Sequence, residues 1–336
     1  MTLGQPAESD AAARIMFWAM AYKVSDAVFA LSQTGVLDQL AKQPSDPDTL
    51  SERTGLNPAA LGILLHILHD AGIVERDAAD IFSLPASAAG LLPVIRLEDK
   101  MRQWHHQHAS LNKALATGTG NDPMDHHPDA DTVSIYKEAM ANASRTVALH
   151  LRRFLPSPNN GSMKIVDLGG ADGSLMCTMS RTLKAAEFCV VDRDHMRPFF
   201  EKRIQSVDSP RRFSFIGRDL NDPATYTEAL RSAAAVIVSN VLHLMNDNQI
   251  ARLCQTLYEN LPPGARVLFY DQMPSSEQAP VDVPRLMTLD WLNCGTLFKL
   301  TAEEMAARLT EIGFQKTRII NPPGISGTLI TCDTKS

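Results

Sequence analysis

Five cysteines in 336 residues, none of them in a C-x-x-C pair, leave no disulfide framework and no zinc ribbon to expect. Cys177, Cys189, Cys254, Cys294 and Cys332 are scattered and odd in number, which points to reduced thiols in the cytoplasm. The first residues lack a basic patch followed by an apolar core, so no signal peptide is expected. The apolar run from Ile15 to Leu31 is interrupted by Lys23, Ser25 and Asp26, and reads as too short and too polar to span a bilayer. An excess of positive charge is also missing: the net charge is -6, which offers no electrostatic footprint for nucleic acid. The remainder is an ordinary globular composition, 44% hydrophobic and 21% charged, in a chain long enough for two domains with a core each.

Against that plain background, the stretch from Ile165 to Ser174 stands out. A short apolar run ends in Asp167, and the small residues Gly169, Gly170, Ala171 and Gly173 then lead into Leu175-Met176 and a helix. Strand, tight loop and helix start bring backbone N–H groups close to a nucleotide-like ligand. Phe188 to Asp192 predicts a second strand whose terminal acid follows the loop by about 20 residues, the spacing at which a carboxylate meets ribose hydroxyls. A third strand runs from Phe213 toward Asp219 and Leu220, and a fourth passes from Ala235 through Ser239 to His243. Pro262-Pro263-Gly264 turns into a fifth, Arg266 to Asp271, and the segments Thr317 to Ile320 and Gly327 to Thr331 suggest a closing antiparallel hairpin. Strands separated by helical segments predict an α/β fold with ligands at the carboxyl ends of the strands, where Asp167, Asp192, Asp219 and His243 would meet. A nicotinamide dehydrogenase would not usually end in such a hairpin.

The amino-terminal part is helical by periodicity. Ile15, Trp18, Met20, Val24, Val28, Leu31, Val36, Leu37 and Leu40 recur at helical spacing, with Gly35 as a break. Asp46-Pro47 and Asn57-Pro58 each open a further helix, and Ile73-Val74 with Ile81 to Leu84 suggests a small hairpin. Helix, turn, helix and hairpin make a winged-helix pattern, which raises a DNA-binding regulator as a rival. Between Asn57 and Asp70 there is no Lys or Arg to reach phosphates or base edges. Residues 86 to 155 are expected to be mainly helical, broken at Gly118 to Pro123. No metal site is expected among His105, His106, His108, His126 and His127: His105 and His106 diverge on a helix, and His126-His127 lies in an Asp- and Pro-rich loop. The expected boundaries are 1–100, a connector over 101–160 with a linker from Pro156 to Gly161, and 161–336.

The segment VDLGGADG, Val166 to Gly173, is similar to the VDVGGGTG-like glycine motif of class I S-adenosylmethionine-dependent methyltransferases, and Asn240-Val241-Leu242-His243-Leu244-Met245 to the NVLHDW-like catalytic segment of their caffeic acid O-methyltransferase-like members. The resemblance covers most of the chain. It implies a Rossmann-like seven-stranded methyltransferase sheet, an amino-terminal winged-helix domain that forms a homodimer, S-adenosylmethionine as cofactor, and a small, aromatic or secondary-metabolite acceptor. It places Gly169, Gly170 and Gly173 at the methionine part of the cofactor, Asp192 at the ribose, Asp219 and Leu220 beside the adenine, and Asp167 and Ser239 among the cofactor residues. His243 becomes the base for an acceptor hydroxyl, since imidazole suits proton removal near neutral pH, and Asp271 the acid that orients it. Met140, Asp290, Cys294 and Lys299 are implied to line the acceptor pocket, with Asp290 and Lys299 as a potential pair.

Four departures accompany the match. Ala171 replaces the middle glycine, which a negative φ would tolerate; Asp271 is shorter than the family's glutamate; Leu244 replaces an aspartate; and Lys299 aligns with a second glutamate. They admit N- or C-methylation, or a cofactor-retaining relative that catalyses a rearrangement or cyclisation.

Overall fold

The computed structural model describes residues 11–118, 120–121, 130–156, 163–274, 283–323 and 325–335. The chain divides into two compact units, Met1–Trp104 with His127–Asn142, and His105–His126 with Ala143–Ser336.

In the first unit, α1 (Ala11–Gln33), α2 (Val36–Lys42), α3 (Pro47–Thr54) and α4 (Pro58–Asp70) precede a two-stranded hairpin, β1 (Glu75–Arg76) and β2 (Phe82–Ser83), followed by α5 (Ala86–Ala89) and α6 (Leu92–Gln107). The helix starts are written in the sequence: Asp46 accepts from Thr49 N and Asn57 from Ala60 N, each with a proline in the first turn where no N–H is needed. Gly55 ends α3 at φ 72°. Leu31, Leu37, Leu40, Leu50, Leu65, Leu68 and Phe82 form the buried core, so the helix-turn-helix and its hairpin close on one apolar centre.

α1 behaves as two halves. Ala27 and Leu31 are buried, and Asp26 pairs with Arg102 of α6 at 3.3 Å. Ile15, Met16, Trp18, Met20 and Tyr22 are exposed. The expectation that this stretch is too short and polar to span a bilayer is corrected. Arg14–Gln33 is continuous helix containing an 18-residue window of mean hydropathy 1.2, long and apolar enough to cross a membrane by length and composition alone.

The second unit continues with α7 (Ser110–Thr117) and receives the end of α8 (Ala130–Leu151). Then come β3 (Met163–Leu168), α9 (Ser174–Ser180), β4 (Ala186–Asp192), α10 (Arg197–Ile204), β5 (Phe213–Gly217), α11 (Thr227–Leu230), β6 (Ala235–Ser239), α12 (Asp247–Asn260), β7 (Arg266–Asp271), α13 (Val283–Asn293), α14 (Ala302–Ile312), β8 (Gln315–Ile320) and β9 (Thr328–Asp333). The sheet has seven strands in the order β5-β4-β3-β6-β7-β9-β8. β3 to β7 pair in parallel, while β9 runs antiparallel to both β7 and β8.

The central strands are apolar at nearly every position because both faces are covered. Val166, Val191, Val236, Val238, Val267 and Phe269 pack on one side with Ile250, Leu253, Leu257, Met305 and Leu309 of α12 and α14. Ile165, Phe188, Val190, Ile237 and Leu268 pack on the other with Leu151, Leu175, Met176 and Phe200. From β3 the chain moves outward through β4 and β5, then returns to lay β6 on the other side of β3. That reversal opens a crevice at the carboxyl ends of β3 and β6, where sheets of this kind bind ligands.

Candidate active site

The loop after β3 is shaped by close approaches. Gly169 turns at φ 78°, and a Cβ there would overlap Val241 Cγ2 and sit 3.6 Å from Leu220 Cδ1. At Gly170 a Cβ would stand 2.5 Å from Asp167 Oδ2. Gly173 takes φ 75° against the Phe200 ring. Gly169 N donates to Val191 O and Gly173 N to Gly170 O, both at 2.8 Å. The negative φ expected at Ala171 is wrong: the residue sits at φ 49°, in the left-handed region. A Cβ costs roughly 1 kcal/mol or more there. The strain comes with a contact, because Ala171 N donates to Asp192 Oδ2 at 2.8 Å.

Asp192 ends β4, and its other oxygen accepts from Arg193 N at 2.7 Å. Asp219 lies just past β5 and accepts from Asn221 N at 2.9 Å, while Leu220 O accepts from the Tyr226 hydroxyl. Ser239 is the last residue of β6. Asp167 is 1% exposed, and its Oδ2 has no hydrogen-bond partner among the described residues; Ser174 Oγ, at the start of α9, is likewise buried without one there. Burial, with a smaller contribution from the nearby Asp192 carboxylate, pushes the Asp167 carboxyl up to about 7.

On the other side of β3, Asn240 takes φ 54° and donates its N–H to Tyr270 O, bending the chain out of β6 into a short 3-10 turn over Leu242–Leu244. Asparagine tolerates that region better than most residues. His243 is 8% exposed, and its Nδ1 lies 2.8 Å from Asp271 Oδ1. Asp271, at the end of β7, is fully buried; it also accepts from Leu242 N, His243 N and Gln272 N. An ionised carboxylate facing Nδ1 selects the tautomer that carries its proton there, which leaves Nε2 as the acceptor.

The opposite face of the imidazole is covered. Trp291 of α13 stacks on His243 with centroids 4.0 Å apart and planes 4° from parallel, and Phe298 meets it edge-on at 6.4 Å. The Trp291 indole N–H is buried and has no acceptor among the described residues. Asp290 neighbours Trp291 on the same helix, and burial raises its carboxyl to about 6. Cys294 is half-buried just beyond α13, with its N–H on Asp290 O at 2.9 Å. Lys299 is exposed, one residue past the buried Phe298, and no ion pair joins it to Asp290 among the described residues. Leu244 is also exposed. Met140 lies on α8 within the first unit and is 37% exposed. Among the described residues no group of three His, Cys, Asp or Glu could hold a metal ion, and His126 and His127 lie outside them.

A family profile for O-methyltransferase domains matches residues 96–315. The chain belongs to this O-methyltransferase family. It is 26% identical over 316 residues to the tetracenomycin polyketide synthesis 8-O-methyltransferase TcmO of Streptomyces glaucescens, covering 89% of this chain and 90% of that protein. The N,N-dimethyltransferase OxyT of Streptomyces rimosus is 25% identical over 311 residues, 88% of each chain. Among solved structures, the calicheamicin-biosynthesis methyltransferase CalO1 in its SAH-bound form superposes with a TM-score of 0.79 at 21% identity, over 98% of this chain and 100% of that one.

Members of the O-methyltransferase family use S-adenosylmethionine, and the loop after β3 suits it on its own chemistry. The glycines admit a ligand against bare backbone, while Asp167 holds an unsatisfied carboxyl oxygen beneath Gly170. Trp291 and Phe298, the aromatic walls around His243, escaped the sequence reading. The signal for Phe298 was present in the alternation Leu297, Phe298, Lys299, Leu300, in which Phe298 and Leu300 are buried and Leu297 and Lys299 exposed.

Asp167 gives the protein a measurable pH signature. An unfolded aspartate ionises near pH 4 and this one near 7, so the folded state retains a proton in between, and stability falls as pH rises across that window. Above pH 7 the penalty is complete, on the order of 4 kcal/mol as an upper bound. Asp167→Asn is therefore expected to raise the thermal unfolding temperature at pH 8 and to leave it nearly unchanged at pH 4. Equal shifts at both pH values in a denaturation series would contradict a buried, ionisation-resistant carboxyl.

Proposed function

We propose that the protein transfers a methyl group from S-adenosylmethionine to a hydroxyl of a small aromatic secondary metabolite, with His243 as general base. The hydrogen bond from His243 Nδ1 to the buried Asp271 carboxylate carries this reading, because it fixes the tautomer that leaves Nε2 able to take a proton. When bound, the cofactor supplies an electrophilic methyl group on a sulfonium. The protein's task is then to align acceptor and methyl, which needs positioning rather than covalent catalysis. Asp192 would hold the ribose hydroxyls, Asp167 the methionine ammonium, Asp219 with Leu220 the adenine border, and Ser239 the floor at β6. The acceptor's hydroxyl proton passes to His243 Nε2 as the oxygen attacks. Asp271 steadies the imidazolium that results.

The stacked Trp291 ring beside His243 favours a flat acceptor, and a relative such as TcmO is an O-methyltransferase of polyketide synthesis. Asp290 and Cys294 would lie toward that acceptor, and Met140 and Lys299 belong to the same proposal. OxyT, an N,N-dimethyltransferase of nearly the same identity, supports nitrogen as the alternative acceptor atom. Nucleic acid and membrane stay outside this reading. The five cysteines form no disulfide, in keeping with a cytoplasmic enzyme.

Incubation with labelled S-adenosylmethionine and a panel of phenols and arylamines is expected to give O-methylated products. Transfer only to nitrogen, or no transfer to any member, would reject the assignment. His243→Ala should lower kcat by about 100-fold or more while SAH affinity, read by calorimetry, stays within about twofold, because this reading assigns the histidine to the acceptor and not to the cofactor. Asp271→Asn should cost at least as much, since an amide in this pocket cannot accept from all four neighbouring N–H groups. Full activity of His243→Ala would leave proximity as the sole source of rate.

The exposed Ile15, Met16, Trp18, Met20 and Tyr22 of α1 support a homodimer through the first unit, since several large apolar side chains left exposed within three turns of one helix mark a protein or membrane contact. Light scattering after size exclusion is expected to give twice the monomer mass, and the double variant Ile15→Glu/Trp18→Glu to give the monomer. A wild-type monomer at micromolar concentration would remove the dimer.

A further inference from the structure

Ala171 needs something to hold it. It stands at φ 49° with its amide aimed at Asp192, and its neighbours in the loop are gripped from a single helix. Arg203, in the last turn of α10, reaches Asp172 Oδ2 through both Nε at 3.0 Å and Nη2 at 2.6 Å, while Asp172 Oδ1 accepts from Ser174 N at 3.0 Å. One turn earlier, Phe200 covers Gly173. At its start the same helix holds the neighbouring segment: Arg197 donates to Asp194 from Nε at 3.0 Å and Nη2 at 2.9 Å. α10 thus ties the loop after β3 to the segment that follows Asp192.

We propose that Arg203 is a positioning residue for the cofactor, whose ion pair with Asp172 keeps Ala171 in the left-handed conformation and so sets the loop against the ribose-binding carboxylate of Asp192. The inference rests on the reading that this loop and Asp192 hold S-adenosylmethionine. The opposing view is a plain surface ion pair. With side chains 40% and 26% exposed, Arg203 and Asp172 lie in the range where an isolated pair adds little to folding stability. A brace on one loop acts elsewhere. It raises the fraction of molecules whose loop is already competent, and affinity scales with that fraction even when global stability hardly moves. Glycine reaches positive φ without strain, so Ala171→Gly should make the brace dispensable.

Calorimetric titration of SAH into the wild-type protein, Arg203→Met, Arg203→Lys and Arg203→Met/Ala171→Gly tests this directly. Arg203→Met is expected to weaken binding about tenfold with an unfolding temperature close to wild type. Arg203→Lys should fall between, because an ammonium cannot fork onto the carboxylate, and the added Ala171→Gly should recover most of the lost affinity. Asp172→Asn, which keeps an oxygen for Ser174 N but drops the charge, provides the same comparison if Arg203→Met does not fold. Unchanged SAH affinity in the single variants, or a loss that Ala171→Gly does not restore, would overturn the proposal. A wild-type protein that fails to bind SAH would instead bring down the cofactor reading beneath it.

Discussion

One buried carboxylate sets the geometry of the crevice. Asp271 has no contact with solvent and accepts from Leu242 N, His243 N, Gln272 N and the His243 ring. A charge in that position is tolerated only because its lone pairs are filled, and an acid with donors removed there would be far more costly than one at the surface. The same bonds pull the turn after β6 down onto the end of β7. That turn carries Val241, whose methyl occupies the space a side chain at Gly169 would need. His243, the strand ends and the glycine loop are therefore located by a single set of contacts running from β7 through β6 to β3.

The parallel sheet makes this possible. β3, β4, β6 and β7 all point their carboxyl ends the same way, so residues far apart in sequence arrive at one edge: Asp167, Asp192, Ser239 and Asp271 each close a strand or fall one residue short of doing so. Both faces of these strands are buried, which leaves their ends as the places where polar chemistry can be exposed to a ligand. The antiparallel β8 and β9 extend the far side of the sheet without adding to the crevice. Arg266 reinforces that side by a two-pronged contact with Asp333, at 2.7 and 3.1 Å, and by donating to Phe154 O.

Much of this could be read from the residues alone, because the informative signals were local. Apolar runs ending in acids marked the strands to within a few residues, and Asp46-Pro47 and Asn57-Pro58 marked helix starts whose caps are present. What could not be read depends on contacts between distant segments. The φ of Ala171 follows from Asp192 and from the grip of α10 on Asp172, neither of which alters the pattern of the loop sequence. Trp291 reaches His243 from 48 residues away in the chain, on a helix whose periodicity marks no catalytic face. The apolar run from Ile15 to Leu31 reads as interrupted by Lys23, Ser25 and Asp26, yet Asp26 finds Arg102 on another helix and the helix continues unbroken from Ala11 to Gln33.

The protein also carries features that a core built for stability alone would avoid. Asp167 Oδ2, Ser174 Oγ and Trp291 Nε1 are buried without partners among the described residues, whereas buried polar atoms in folded proteins are nearly always bonded. Two of them belong to residues flanking the glycine loop, and the third lies in the indole stacked on His243. Each can be offset by a ligand of suitable chemistry: a cation or donor at Asp167, a polar group at Ser174, an oxygen acceptor at Trp291. Together with the left-handed Ala171, they amount to strain and desolvation built in before any ligand arrives. In-line methyl transfer is accelerated chiefly by fixing two reactants at the right distance and angle. A site whose fold fixes where such polar groups stand favours the ligands that satisfy them, and placement of this kind is what catalysis by positioning requires.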